Sequence, residues 1–226
     1  MTSNHHPSPA IEREVSIDAG QERLEGILGE LPAPVGIVVF AHGSGSGRKS
    51  PRNNYVARQL QRAGMATLLL DLLTVEEDRE YHMRFDIALL EPRLAAACDW
   101  VRAQESYTGL PIGLFGASTG AAVALRVAAA HPGEVAAVVS RGGRPDLAGV
   151  FALERVRTPT LLIVGGNDDQ VISLNEATLE VMRCDSKIEI IPGASHLFEE
   201  PGTLEKAAAL AVAWFGNHFG GQRPGA

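Results

Sequence analysis

Pro111-Ile112-Gly113-Leu114-Phe115-Gly116-Ala117-Ser118-Thr119-Gly120-Ala121-Ala122-Val123 joins an apolar run, a G-x-S-x-G pentapeptide and the start of an alanine-rich run that reaches Ala130. The first run reads as a strand and the last as a helix. Between them the pentapeptide has a mechanical meaning: it is the pattern of a nucleophile elbow, a strand-to-helix turn sharp enough to hold its serine in a strained conformation above the sheet edge. Glycines two residues to either side let strand and helix approach closely. The plainer reading makes Ser118 an N-cap of the following helix. The two readings differ in what the rest of the chain must supply.

Working outward, the strand-like pattern repeats. Residues 12–17 and 23–28 alternate as a hairpin of half-buried strands around Asp18-Ala19-Gly20-Gln21. The continuous apolar runs 35–41, 65–71, 111–116, 135–140, 160–165 and 187–191 follow, the signature of strands buried on both faces. Helical periodicity falls between them, at 54–63, 87–101, 121–130, 174–182 and 204–215, with Pro92 expected as a first-turn residue or a kink. This alternation predicts a doubly wound, mostly parallel α/β sheet with right-handed crossovers, whose ligands bind at the carboxyl ends of the strands. One domain over 11–219 is expected, with disordered tails at 1–10 and 220–226. Residues 142–159 have room for only a turn or two of helix, so no large cap is expected.

Composition narrows the classes. The chain has 226 residues, net charge −7 and no basic patch, which argues against nucleic-acid binding. Neither a signal-peptide pattern nor a long apolar span is visible, so a cytoplasmic protein without membrane contact is expected. Cys98 and Cys184 are expected as buried free thiols.

A serine hydroxyl needs a base, and the base an orienting carboxylate. Downstream of Ser118 the chain offers Asp168 and Asp169 after one strand, then His196 after the last. His196 alone among seven histidines lies in a loop after a late strand. Either aspartate could serve, and either could merely form the turn. Backbone amides must also stabilise the developing oxyanion. Thr119 supplies one as the residue after the serine, and the loop Ala41-His42-Gly43-Ser44-Gly45-Ser46-Gly47 the other, with Ser44 the candidate and Gly45 next. No G-K-[ST] follows this loop, so a phosphate-cradling P-loop is not indicated. His42 is expected to support the loop.

Over residues 35–215 these motifs resemble the α/β-hydrolase superfamily. His42-Gly43-x-Gly45, the elbow at Ser118, Gly166-x-Asp168-x-x-Val171 and Gly193-x-x-His196 are most similar to the dienelactone-hydrolase-like group of small cap-less hydrolases. The resemblance implies an eight-stranded sheet with its second strand antiparallel, and it selects Asp168 over Asp169. Dienelactone hydrolase proper carries a cysteine where this chain has Ser118, so a general serine esterase, with lactones as a further substrate class, is the expectation. No metal or cofactor is called for. The partner expected is a small-molecule ester. An acyltransferase or perhydrolase on the same residues, and a ligand-binding receptor of the same fold, are the alternatives. For substrate contacts the sequence offers Arg141 as a clamp for an anionic group, and Gly45, Leu72 and Leu197 as walls. Arg144 is expected to pair with Asp146, and the acidic loop at 72–84 to be a solvated face.

Overall fold

The computed structural model describes residues 10–220; the bulk of both stretches read as tails lies outside the described residues. Eight strands form one sheet: β1 (Ile11–Ala19), β2 (Glu22–Glu30), β3 (Ile37–Ala41), β4 (Ala66–Leu70), β5 (Ile112–Ala117), β6 (Ala137–Arg141), β7 (Thr160–Gly165) and β8 (Ser186–Ile191). Their order is β1-β2-β4-β3-β5-β6-β7-β8. β2 is antiparallel to both neighbours, and every other pairing is parallel. The antiparallel hairpin, the eight strands and the missing cap all follow the sequence.

β3, β4, β5 and β7 are buried at every position, which is why they read as unbroken apolar runs. The hairpin strands, open on one side, alternate instead. Helices α1 (Pro51–Arg62) and α6 (Thr203–Phe219) cover one face. There Phe40, Phe115, Phe198, Phe215 and Phe219 are the phenylalanines of one core cluster. Helices α2 (Ile87–Arg102), α3 (Thr119–Ala130) and α5 (Asp169–Val181) cover the other, with a short α4 (Val150–Leu153) beside them. Pro92 sits inside α2, not in its first turn.

The chain order β3-α1-β4 runs toward one edge and β5-α3-β6 toward the other. The sheet therefore changes direction between β3 and β5, and the loops leaving those two strands part to leave a crevice. The segment 72–86 after β4 is exposed at Glu76 and Glu80, as a solvated face would be, but it is ordered. It holds two 3₁₀ turns (Glu77–Arg79 and Tyr81–Phe85) and is pinned by buried Arg93, whose Nη1 and Nη2 each lie 2.6 Å from a Glu77 carboxylate oxygen. No helix among the described residues is long and apolar enough to cross a membrane. Cys98 and Cys184 are both free thiols. Cys98 is buried, and burial pushes its pKa up to about 12, whereas Cys184 lies past the end of α5 and is partly exposed.

Candidate active site

β5 ends at Ala117 and α3 begins at Thr119, leaving one residue for the turn. Ser118 takes φ 50°, ψ −121°, a conformation that costs a non-glycine residue about 1–3 kcal/mol. Its surroundings hold it there. The Ser118 N–H donates to the Arg141 carbonyl at 3.2 Å, and the Ser118 carbonyl accepts from the amides of Ala121 and Arg144, each at 3.1 Å. A Cβ on Gly116 would lie 2.4 Å from the Ala121 Cα, so only glycine lets the strand pass this close to the helix. Ser118 makes no capping bond to α3, which separates the two sequence readings. Its Oγ instead lies 3.3 Å from His196 Nε2.

His196 belongs to the loop after β8. A turn closed by the Phe198 N–H on the Ser195 carbonyl (3.2 Å) carries it at its corner, and the Glu200 carboxylate accepts from the Ser195 N–H (2.9 Å). His196 Nδ1 lies 2.7 Å from Asp168 Oδ2. With Nδ1–H donating to that carboxylate, Nε2 presents a lone pair to the Ser118 hydroxyl. Asp168 stands just before α5. Asp169 is the first residue of that helix and is exposed, so of the two aspartates Asp168 is the one that reaches the imidazole.

The loop after β3 is fixed by His42. The Leu72 N–H donates to His42 Nε2 at 2.9 Å, and Nδ1–H donates to the Gly43 carbonyl at 2.9 Å. Burial lowers the His42 pKa, keeping the ring neutral in the single tautomer these partners require. The Ser46 N–H closes a turn on the Gly43 carbonyl, with Gly45 at φ 66°. Among the described residues neither the Ser44 N–H nor the Thr119 N–H donates to a protein acceptor. Thr119 is the first residue of α3, where an amide has no partner within the helix.

Ser118, Thr119, Asp168 and His196 share a cavity of about 270 Å³ with Phe85, Arg144, Leu147, Gln170 and Val171. A larger one of about 510 Å³ is bounded by the β3 loop at Ser44 and Gly45 and by Pro51, Arg52, Asp71 and Val75. Gly45 lines this second cavity and not the one that holds Ser118. Arg141, Leu72 and Leu197 line neither cavity. Leu72 is fully buried core, and Leu197 is exposed. The Arg141 side chain turns inward, onto the Phe198 ring. Arg144 is the arginine beside Ser118, and it is also paired in bidentate fashion with Asp146 (2.9 and 2.8 Å). Phe85, Arg144, Leu147 and Gln170 were missed as lining residues. They come from turns and a helix start whose direction no periodicity reports.

The alpha/beta hydrolase domain model matches residues 34–213. The chain is similar to a structure described as dienelactone hydrolase from Anabaena variabilis, with 53% identity, TM-score 0.90, and 93% of this chain and 99% of that one covered. It also shares its fold with Est1E from Butyrivibrio proteoclasticus at 16% identity and TM-score 0.77, covering 95% and 100% of the two chains. A Mycobacterium tuberculosis protein whose name assigns it provisionally to the phosphoribosyl transferases is 54% identical over 96% of this chain. The chain spans only 48% of that relative's length. The match across residues 34–213 and the sheet order above agree: the chain belongs to the alpha/beta hydrolase family.

Proposed function

We propose that the chain is a serine hydrolase that cleaves carboxylic esters, lactones among them, through an acyl-enzyme. The observation that carries the reading is the relay Ser118 Oγ–His196 Nε2 (3.3 Å) and His196 Nδ1–Asp168 Oδ2 (2.7 Å) at a strained elbow. His196 takes the hydroxyl proton as Ser118 Oγ attacks the carbonyl carbon, and Asp168 holds the imidazolium in place. The amides of Ser44 and Thr119 stabilise the oxyanion, each donor being worth about two to three orders of magnitude in rate. Collapse of the tetrahedral intermediate breaks the ester C–O bond, and His196 returns the proton to the departing alkoxide. Water, activated by the same imidazole, then releases the acid and restores Ser118. The chemistry needs only these residues.

The relative named as a phosphoribosyl transferase is about twice as long as this chain, so that name describes a protein of which this chain matches only about half. A panel of 4-nitrophenyl esters, alkyl esters and lactones, run on the wild type and on Ser118→Ala, tests the reading. Hydrolysis that depends on Ser118, together with labelling of that residue by a fluorophosphonate, is expected. Turnover that survives in Ser118→Ala overturns it.

A further inference from the structure

Among the described residues two arginines are buried, Arg93 and Arg141, and their surroundings are opposite. Arg93 lies in a two-point ion pair with Glu77. Arg141 meets no carboxylate. Its Nη2 donates to Asn53 Oδ1 on α1 at 3.4 Å, its guanidinium carbon stands 5.5 Å from the centre of the Phe198 ring, and its Nε has no partner. Burial, with Arg52 nearby, pulls its pKa down only to about 10, so the charge persists. A buried charge without a counter-ion is costly, and the side chain lines neither the cavity that holds Ser118 nor the one at the β3 loop.

Its connections point elsewhere. Through its main chain, Arg141 accepts the Ser118 N–H. Through its side chain, it packs on Phe198, which sits at φ 57° two residues past His196 and closes the turn that carries it. A side chain larger than glycine is strained at such an angle and stays there only where its surroundings over-determine it. The surroundings here are the guanidinium, the α6-side core and Gly142, whose Cβ, if present, would lie 3.3 Å from the ring and 2.9 Å from the His196 carbonyl. One residue therefore touches the backbone of the nucleophile and the turn of the base.

We propose that Arg141 is a positioning residue that sets His196 against Ser118, acting through the Phe198 ring. The proposal rests on the serine-hydrolase reading above. The guanidinium is suited to the task because its planar fork stacks on an aromatic ring and still reaches α1 through Asn53, which an ammonium cannot reproduce.

The test is the rate at which a fluorophosphonate modifies Ser118 in the wild type, Arg141→Met, Arg141→Lys, Phe198→Leu and the double variant Arg141→Met/Phe198→Leu. Misplacing the base should lower the maximal labelling rate roughly 10- to 100-fold in Arg141→Met, with probe affinity unchanged. Arg141→Lys should recover only part of it, and the double variant should be no slower than the worse single one. The downfield proton resonance of the His196 Nδ1–H bond to Asp168 should broaden or vanish in Arg141→Met. A labelling rate and resonance that stay unchanged while only the melting temperature falls would overturn the proposal. So would weaker binding of anionic probes with the maximal rate intact. Should Arg141→Met not fold, Phe198→Leu and Asn53→Ala carry the same expectations. Were the wild type not labelled, the hydrolase reading would fail, and survival of the resonance in Arg141→Met would still overturn the role given to Arg141.

Discussion

Gly120, in the first turn of α3, lies so close to Ala41 at the end of β3 that a Cβ on it would stand 2.1 Å from the Ala41 carbonyl oxygen. That approach brings the nucleophile turn against the loop that presents Ser44. Gly120→Ala should therefore destabilise the fold by about 3 kcal/mol or more and displace Ser118 from His196. Gly216→Ala in α6 is the contrast, since its Cβ would meet only the Met65 methyl at 3.8 Å. It should stabilise by about 0.5–1 kcal/mol. Urea denaturation midpoints of the two variants check both.

Ser118→Ala should reduce ester turnover by about four to six orders of magnitude. Because Ser118 makes no capping bond to α3, losing its hydroxyl should leave the melting temperature close to that of the wild type. Steady-state rates and a thermal melt on one preparation decide the matter. A large drop in melting temperature would return Ser118 to a structural role.

Asp168→Asn should cost about four orders of magnitude in kcat, since an amide favours the wrong imidazole tautomer. Asp169→Asn, at an exposed first helical position, should stay near wild type. The pair of kcat values measures the distinction directly.

Two groups make the fold acid-sensitive with the same sign. His42 is held below its ordinary 6.5 by burial, so the unfolded chain binds a proton first as the pH falls, and stability declines from about 6.5 downward. Glu77 is held at about 2, against an ordinary 4.5, chiefly by its hydrogen bonds from Arg93. Its contribution of about 3 kcal/mol is complete above 4.5 and is lost as the pH falls toward 2. Melting temperatures against pH should show both declines in the wild type, with the later one missing in Glu77→Gln and the earlier one in His42→Gln.

The strand at 111–116 and the serine after it were legible because a strand, a sharp turn and a helix each leave a local pattern. His196 was legible because its loop follows the last strand. The choice between Asp168 and Asp169 was not available from spacing alone, because it depends on α5 beginning at Asp169 and turning that side chain outward. The exchange of Arg141 for Arg144 has a similar cause. Arg141 is the last residue of β6, and strand parity sends its side chain to the α1–α6 face. Gly142, at φ 52°, then redirects the backbone so that Arg144 faces the cavity. Composition cannot report that reversal.

The segment 72–86 borders both cavities and is anchored at several points along its length. Arg93 grips Glu77 at one end and donates to the Leu72 carbonyl, Arg84 is tied to Asp78 across the middle, and the Leu72 amide is committed to His42. Phe85, at its far end, is already against the cavity. These anchors tie the segment to α2 through Arg93 and to the β3 loop through His42, up to the wall of the cavity at Phe85.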